Sequence, residues 1–479
     1  MKPAQILLTA ALALSLTACA VGPAYRRPAV PVTQNWSGEP SRGTSPALEP
    51  AVEEWWKSFR DPELESLITR AVSANLDLQI AAARIAEARA ARGLARSDAF
   101  PQVTAGASVT RSRQIVPAGF SPGAGAPAPA LVPFESNFYQ GRFDMAWEAD
   151  VFGRVRSEVR AATADVEAQQ EDRRNLLITL LGDVATNYAQ LRGYDLRLRI
   201  ANGNIAIQQQ ILDLTRELTR AGQATERDVA QAEVVLEVTR SVVPQLETGR
   251  KMSIHRLGVL LGAEPNALDQ ELSARGELPP VPASVPVGLP SDLLKRRPDI
   301  RRAEAQLVAA TARIGEAKAD FFPRFSLTGS AGRESTQLHL LSLGGGNLFS
   351  FGPSVSLPVF TAGRIRSNVA VQEERAKQAA AAYQSSVLRA LEETRNALVS
   401  YANEQERRDR LDNAIRSGRT ALELAQTQYR AGLADFLTVL DAERTVADNE
   451  DQLAQSQTAM VTNLVALYKA LGGGWPAFE

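Results

Sequence analysis

The sequence predicts a mainly α-helical chain with a small β part, duplicated internally, and three observations carry that expectation. Two proline-free runs, Arg154 to Ala221 and Arg364 to Ala431, have helix-forming composition. Each has roughly 70 residues, or about 100 Å of helix at ~1.5 Å per residue, far beyond the usual ~11–12-residue helix. Four shorter segments alternate apolar and polar side chains with the period of a strand. Motifs also recur at a fixed spacing. Arg220-Ala221-Gly222 and Arg430-Ala431-Gly432, Ala232-Glu233 and Ala442-Glu443, Leu261-Gly262 and Leu471-Gly472, and Gly153-Arg154 and Gly363-Arg364 each lie 210 positions apart (220 to 430). One offset shared by so many anchors marks two homologous halves.

Composition narrows the class. At 479 residues the chain exceeds what one hydrophobic core usually covers. Its 53 basic and 54 acidic side chains leave a formal net charge of −1, without the basic footprint of a nucleic-acid binder. The single cysteine, Cys19, rules out a disulfide within the chain. Residues 1–18 read as a secretory signal: Lys2 charges the start, and Ile6 to Leu16 form an apolar run too short to span a bilayer. The run ends in Leu16-Thr17-Ala18-Cys19, which resembles a bacterial lipobox, so cleavage before Cys19 and acylation of its thiol are expected. The alternative is an ordinary signal with a chance cysteine. Ala20 stands where an Asp would hold such a lipoprotein at the inner membrane. Residues 19–60 are then a lipidated extension, anchored by two or three acyl chains where one would bind marginally.

Residues 61–275 form the first repeat. Short helices lead to Phe100-Pro101 and a strand over about 100–116, in which Val103, Ala105, Ala107 and Val109 alternate with polar or small residues. A second strand over about 136–152 sets Tyr139, Phe143, Met145, Trp147, Ala149 and Val151 against Gln140, Arg142, Asp144, Glu148 and Asp150. Pro117, Gly119, Pro122, Gly123, Gly125, Pro127, Pro129 and Pro133 make the stretch between them a loop. Helices over 154–221 and 225–262 follow. Leu176, Leu177, Leu180, Leu181, Val184 and Tyr188 form an apolar stripe on the first, and Gly182, Gly193 and Gly203 are expected points of bending or breakage. The second repeat, 276–479, has the same plan. Short helices precede a strand over about 323–333 with Phe325, Leu327 and Ala331. The next, over about 348–360, sets Phe349, Phe351, Val355, Leu357 and Val359 against Ser350, Ser354 and Ser356, and helices over 364–431 and 435–471 complete the repeat.

Strands of this kind suit a membrane, apolar toward lipid and polar toward a lumen. A soluble two-layer sheet is the other reading. Four strands cannot close a transmembrane barrel, which starts at about eight, and an open sheet in lipid leaves edge groups unbonded at several kcal/mol each. If they span a membrane, several copies must share one barrel.

The segment Arg296-Arg297-Pro298-Asp299-Ile300-Arg301, followed by Ala303-Glu304 and Ala319-Asp320-Phe321-Phe322-Pro323, resembles the signature of the TolC/OprM-type outer-membrane factors. More narrowly, it is similar to the lipoprotein (NodT-like) branch serving RND-type tripartite efflux pumps. Tyr429-Arg430-Ala431-Gly432, Leu437 to Arg444, and Leu471-Gly472-Gly473-Gly474-Trp475 also resemble the family pattern. The resemblance implies a homotrimer in the outer membrane of a Gram-negative bacterium. Three sets of four strands would form a twelve-stranded barrel, continued by an α-helical barrel across the periplasm, with short helices as an outer girdle. It implies a passive duct for drugs or other small toxic solutes, partnered by a periplasmic adaptor and an inner-membrane RND transporter. It places an occluding ring at Leu437, a carboxylate ring at Asp441, a tether at Arg444 and a companion at Asp228, all at a periplasmic gate. The turns Arg220-Ala221-Gly222 and Arg430-Ala431-Gly432 become the tips that meet the adaptor. A type I protein-secretion duct and a lipid-anchored coiled-coil scaffold without a pore are the rival readings.

No enzyme is legible. His255 and His339 are the only histidines and lie in unlike regions, and no phosphate loop, nucleophile elbow or Cys/His cluster appears. No cofactor is expected beyond covalent lipid on Cys19, and no metal.

Overall fold

The computed structural model of the chain describes residues 21–31, 36, 42–45, 52–117, 131–343 and 346–478. The expected signal and Cys19 lie outside the described residues. Helix dominates, as the long proline-free runs require. The main elements are α1 (Pro62–Ala74), α2 (Leu76–Ser97), β1 (Gln102–Pro117), β2 (Leu131–Ala149), α3 (Arg154–Arg220), α4 (Glu226–Leu260), α5 (Pro298–Ala319), β3 (Arg324–Ser335), β4 (Gly346–Ser356), α6 (Arg364–Arg430) and α7 (Phe436–Ala470). The chain divides into two compact units.

The first unit holds residues 86–167 and 304–381 with the described N-terminal residues up to Arg27. It contains the sheet, ordered β1-β2-β3-β4 with every neighbour antiparallel. Register explains the alternation seen in the sequence. Ala105, Phe143, Ala331 and Phe349 stand in one row, and Val103, Met145, Gly329 and Phe351 in the next on the same face. The opposite face carries Thr104, Asp144, Ser330 and Ser350, and hydroxyl pairs bond across it: Ser330 to Ser350 at 2.9 Å and Ser326 to Ser354 at 2.7 Å. Each strand thus contributes one apolar and one polar face to the same sheet. β1 and β4 are paired on one side only, among the described residues.

Two expected boundaries move. Pro117 and Pro133, assigned above to the loop, lie inside β1 and β2, with Pro117 opposite Leu131 and Pro133 opposite Ile115. β3 ends at Ser335, opposite Tyr139, so the ribbon beyond is only two strands wide and tolerates a missing N–H. At the other side β2 stops at Ala149 and β4 at Ser356, which leaves Val151, Leu357 and Val359 outside the strands. Next to the strand ends in sequence, Phe152 stacks on Phe322 with centroids 4.7 Å apart. Tyr25 donates to Glu304 at 2.9 Å, and Arg27 grips the same carboxylate through Nε and Nη2 at 2.7 Å each.

The second unit holds residues 28–85, 168–303 and 382–479 and contains the main core. Asp61 caps α1 by accepting from the N–H groups of Glu63 and Leu64, and Pro62 occupies the first turn, where its missing N–H does no harm. The stripe Leu177, Leu180, Leu181, Val184 and Tyr188 of α3 is buried against Trp55, Trp56, Leu64, Ile68, Leu464 and Tyr468. Trp55 stacks on Tyr468 at 5.3 Å. The expected breaks in α3 do not occur. Added Cβ atoms would meet Lys469 Cδ at 3.3 Å from Gly182 and Thr458 Oγ1 at 2.4 Å from Gly193. These two glycines let helices approach closely and leave α3 unbroken.

The Arg296–Arg301 segment is a structural hub. Buried Arg297 donates to both Asp299 oxygens, to Glu393 and to the Ala470 carbonyl. Arg301 pairs with Glu171 at 2.7 Å and, with Arg174, lies over the Trp475 ring, whose Nε1 donates to the Arg296 carbonyl.

Candidate gating and docking sites

Each long helical hairpin of the second unit turns through a glycine. Gly222 (φ 74°) donates to the Thr219 carbonyl and Gln223 to Leu218; Gly432 (φ 71°) donates to Tyr429 and Leu433 to Gln428. This pair of bonds closes a helix C-terminus and needs a left-handed residue, which glycine supplies without Cβ strain. Arg220, Ala221, Arg430 and Ala431 flank these turns, and all four are exposed or half-buried.

The returning helices start with exchanged residue types. Thr225 caps α4, with its hydroxyl accepting from the Asp228 N–H, and the Asp228 carboxylate accepts from the Thr225 N–H at 2.9 Å and hydroxyl at 2.8 Å. In α7 the acid comes first: Asp435 accepts from the N–H and hydroxyl of Thr438 at 3.1 and 2.9 Å. Those two bonds hold its carboxyl below the usual carboxylate range. Asp228 is therefore engaged in a helix cap, and it is 9% exposed.

Leu437, Asp441 and Arg444 share one face of α7, spaced by four and three, over about 10 Å of helix. Leu437 is 46% exposed and Asp441 is exposed, while Arg444 reaches only Asp448, at 3.8 Å. The other face buries Phe436, Val439, Leu440 and Val446. The row of apolar, acidic and basic side chains thus points away from the face that packs into its own chain.

One buried group escaped the sequence reading. Glu443 lies in the apolar row of α7, at spacings of three from Leu440 and Val446, and it is 5% exposed. Its place in that row was the available signal. Neither carboxyl oxygen has a hydrogen-bond partner. Burial pushes the carboxyl up to about 7, with the neighbouring Gln208 amide opposing the shift. Among the described residues no group of His, Cys, Asp and Glu side chains is arranged to hold a metal.

The profile of the family described as outer membrane efflux protein matches residues 67–263 and 289–473. The solvent efflux pump outer membrane protein SrpC of Pseudomonas putida is 33% identical over 470 residues, covering 96% of this chain and 97% of its own. Outer membrane protein OprJ of Pseudomonas aeruginosa is 34% identical over 475 residues, covering 99% and 97%. The solved structure of the outer-membrane channel OprN superposes with a TM-score of 0.85 at 37% identity, covering 95% of this chain and 100% of that one.

Proposed function

The chain belongs to the outer membrane efflux protein family, and on that premise we propose that it is the exit duct of an RND-type tripartite efflux pump. It carries drugs or other small toxic solutes passively from the periplasm to the exterior; the solvent-pump name of a relative supports that cargo class. The observation that carries the reading is a four-stranded sheet, apolar on one face and polar on the other, with both edges unpaired among the described residues and long helices following it. Its apolar face extends from Ala149 to Tyr139, roughly 34 Å of strand, or about 25 Å of height at the ~40° tilt of membrane barrels. Three copies would join edges into twelve strands and leave no backbone group unbonded in lipid. The helices α3, α4, α6 and α7 would continue as the α-barrel, with the short helices as its girdle.

The like caps at positions 222 and 432 support an internal duplication over 61–275 and 276–479. Acylation of Cys19, after removal of residues 1–18, would add an anchor in the same membrane. The turns Arg220-Ala221-Gly222 and Arg430-Ala431-Gly432 would receive the periplasmic adaptor, which links the duct to the inner-membrane transporter. Leu437 would form an occluding ring, Asp441 a carboxylate ring and Arg444 an inter-helix tether, with Asp228, held in the α4 cap, as their companion. The protein's work is conduction, a non-enzymatic role.

Single-channel recording of the full chain in planar bilayers tests this. SDS-resistant trimers that conduct are expected, with Asp441→Ala and Leu437→Ala conducting several-fold more than the unaltered chain. Trimers that never conduct would favour the scaffold reading, and unchanged conductance in both variants would remove the gate.

A further inference from the structure

The face of α7 that packs into its own chain carries a carboxyl group with nothing bonded to it. Both Glu443 oxygens lack a donor, and the Oε1 of Gln208 on α3, itself 4% exposed, lacks one too. Two adjacent buried acceptor groups are thus short of one hydrogen. A neutral carboxyl supplies it, donating its O–H to the Gln208 oxygen while the Gln208 N–H donates back to the carboxyl carbonyl. An ionised carboxylate can take only the amide N–H, and it carries a charge out of water. We propose that Glu443 and Gln208 form a proton-operated latch between α7 and α3, fastened when Glu443 is protonated, that sets how readily the gate-bearing end of α7 moves.

The surrounding charges do not compete for this carboxyl. Asp213 and Arg216 of α3 pair with each other and Arg216 with Glu233 of α4, all in half-exposed or exposed positions. Arg419 of α6 pairs with Glu450 of α7, and Glu423 of α6 is exposed. Asp441 and Arg444 occupy the outward face of α7, and Asp228 is held by Thr225. Tyr429 of α6, pushed up by burial, stays neutral. Burial is left as the main influence on Glu443, and its effect places release near pH 7. Since the carboxyl is raised, the packed arrangement is favoured at low pH and weakens as pH rises toward about 7, where the loss is complete.

This latch deepens the gate reading, and it rests on that reading only for conductance. Amide exchange of the 436–446 segment, measured on the assembled full chain in liposomes from pH 5.5 to 8.5 and corrected for intrinsic rates, tests packing directly. Protection should fall by up to about tenfold per pH unit between 5.5 and about 7 in the unaltered chain, level off above that, and stay level throughout in Glu443→Gln. Gln208→Met, which removes the acceptor for the carboxyl O–H but keeps the carboxyl, should lower the protection measured at pH 5.5. A flat profile in the unaltered chain, a Glu443→Gln profile that follows it, or full protection at pH 5.5 in Gln208→Met would each overturn the latch. Channel open probability should rise over the same range. Exchange that responds while open probability does not would keep the latch and remove the gate.

Discussion

Glu233 and Glu443 occupy positions 210 apart, each following an alanine, and they have opposite surroundings. Glu233 of α4 is half-exposed and bonds Arg216 at 2.6 Å; Glu443 of α7 is buried without a partner. The cause is rotation. α4 buries Asp228, Ala232 and Leu236, whereas α7 buries Phe436, Leu440, Glu443 and Val446, so the inward stripe has turned around the helix axis. The outward faces diverge with it: Val234 and Val238 are exposed on α4 where α7 carries Arg444 and Asp448. Two helices that share a sequence pattern can therefore hold different chemistry, and only α7 presents the row at Leu437, Asp441 and Arg444.

A third carboxylate sharpens the contrast and gives the largest predicted effect. Asp195 is fully buried but saturated, by Arg192 at 3.0 Å, Arg250 at 2.7 Å and the Gly276 N–H at 3.1 Å. Asp195→Ala leaves two buried guanidinium groups without their anion and should destabilise the second unit by about 3–5 kcal/mol, read as a lowered midpoint in thermal unfolding. Glu443→Gln should do the reverse. It should stabilise by on the order of 2–3 kcal/mol at pH 8, where the raised carboxyl is ionised, and by nothing at about pH 3, where folded and unfolded forms are both protonated. Pulse proteolysis at the two pH values would check it; equal gains at both would refute the burial explanation. Caps come next. Thr225→Ala and Asp435→Ala should each cost about 1 kcal/mol, seen as faster exchange in the first turns of α4 and α7. Thr225→Asp combined with Asp228→Thr, which writes the cap of α7 into α4, should cost less than either. Smallest is Glu233→Gln, at most about 0.5 kcal/mol, because its ion pair is solvated.

Much of this was legible in the residues. The alternation at Phe143, Met145, Phe349 and Phe351 marked the apolar face because a strand's side-chain period is fixed at two. The proline-free runs became α3 and α6 within a residue of their expected ends, since glycine caps are local signals. The phase of a long helix is another matter. Residues 436–446 contain apolar and charged side chains on several faces, and which face turns inward depends on partners such as Gln208, far away in sequence. The same distance hid the bond from Arg297 to the Ala470 carbonyl, and the stacking of Arg174 and Arg301 on Trp475. Proline density misled at Pro117 and Pro133, because how far a hairpin continues past its neighbours is decided by the sheet and not by the hairpin's own residues.

The core of the second unit also imposes a timetable on biogenesis. Ser58 and Tyr468, 410 positions apart, lie within 3.3 Å, and Trp55 stacks on the same tyrosine. A nascent chain crossing into the periplasm carries Trp55, Trp56 and Phe59 uncovered until residues 460–471 emerge to seal them. Contacts of such long range form slowly. A chain truncated before α7 should therefore keep that aromatic surface open and be cut by proteases faster than the full chain.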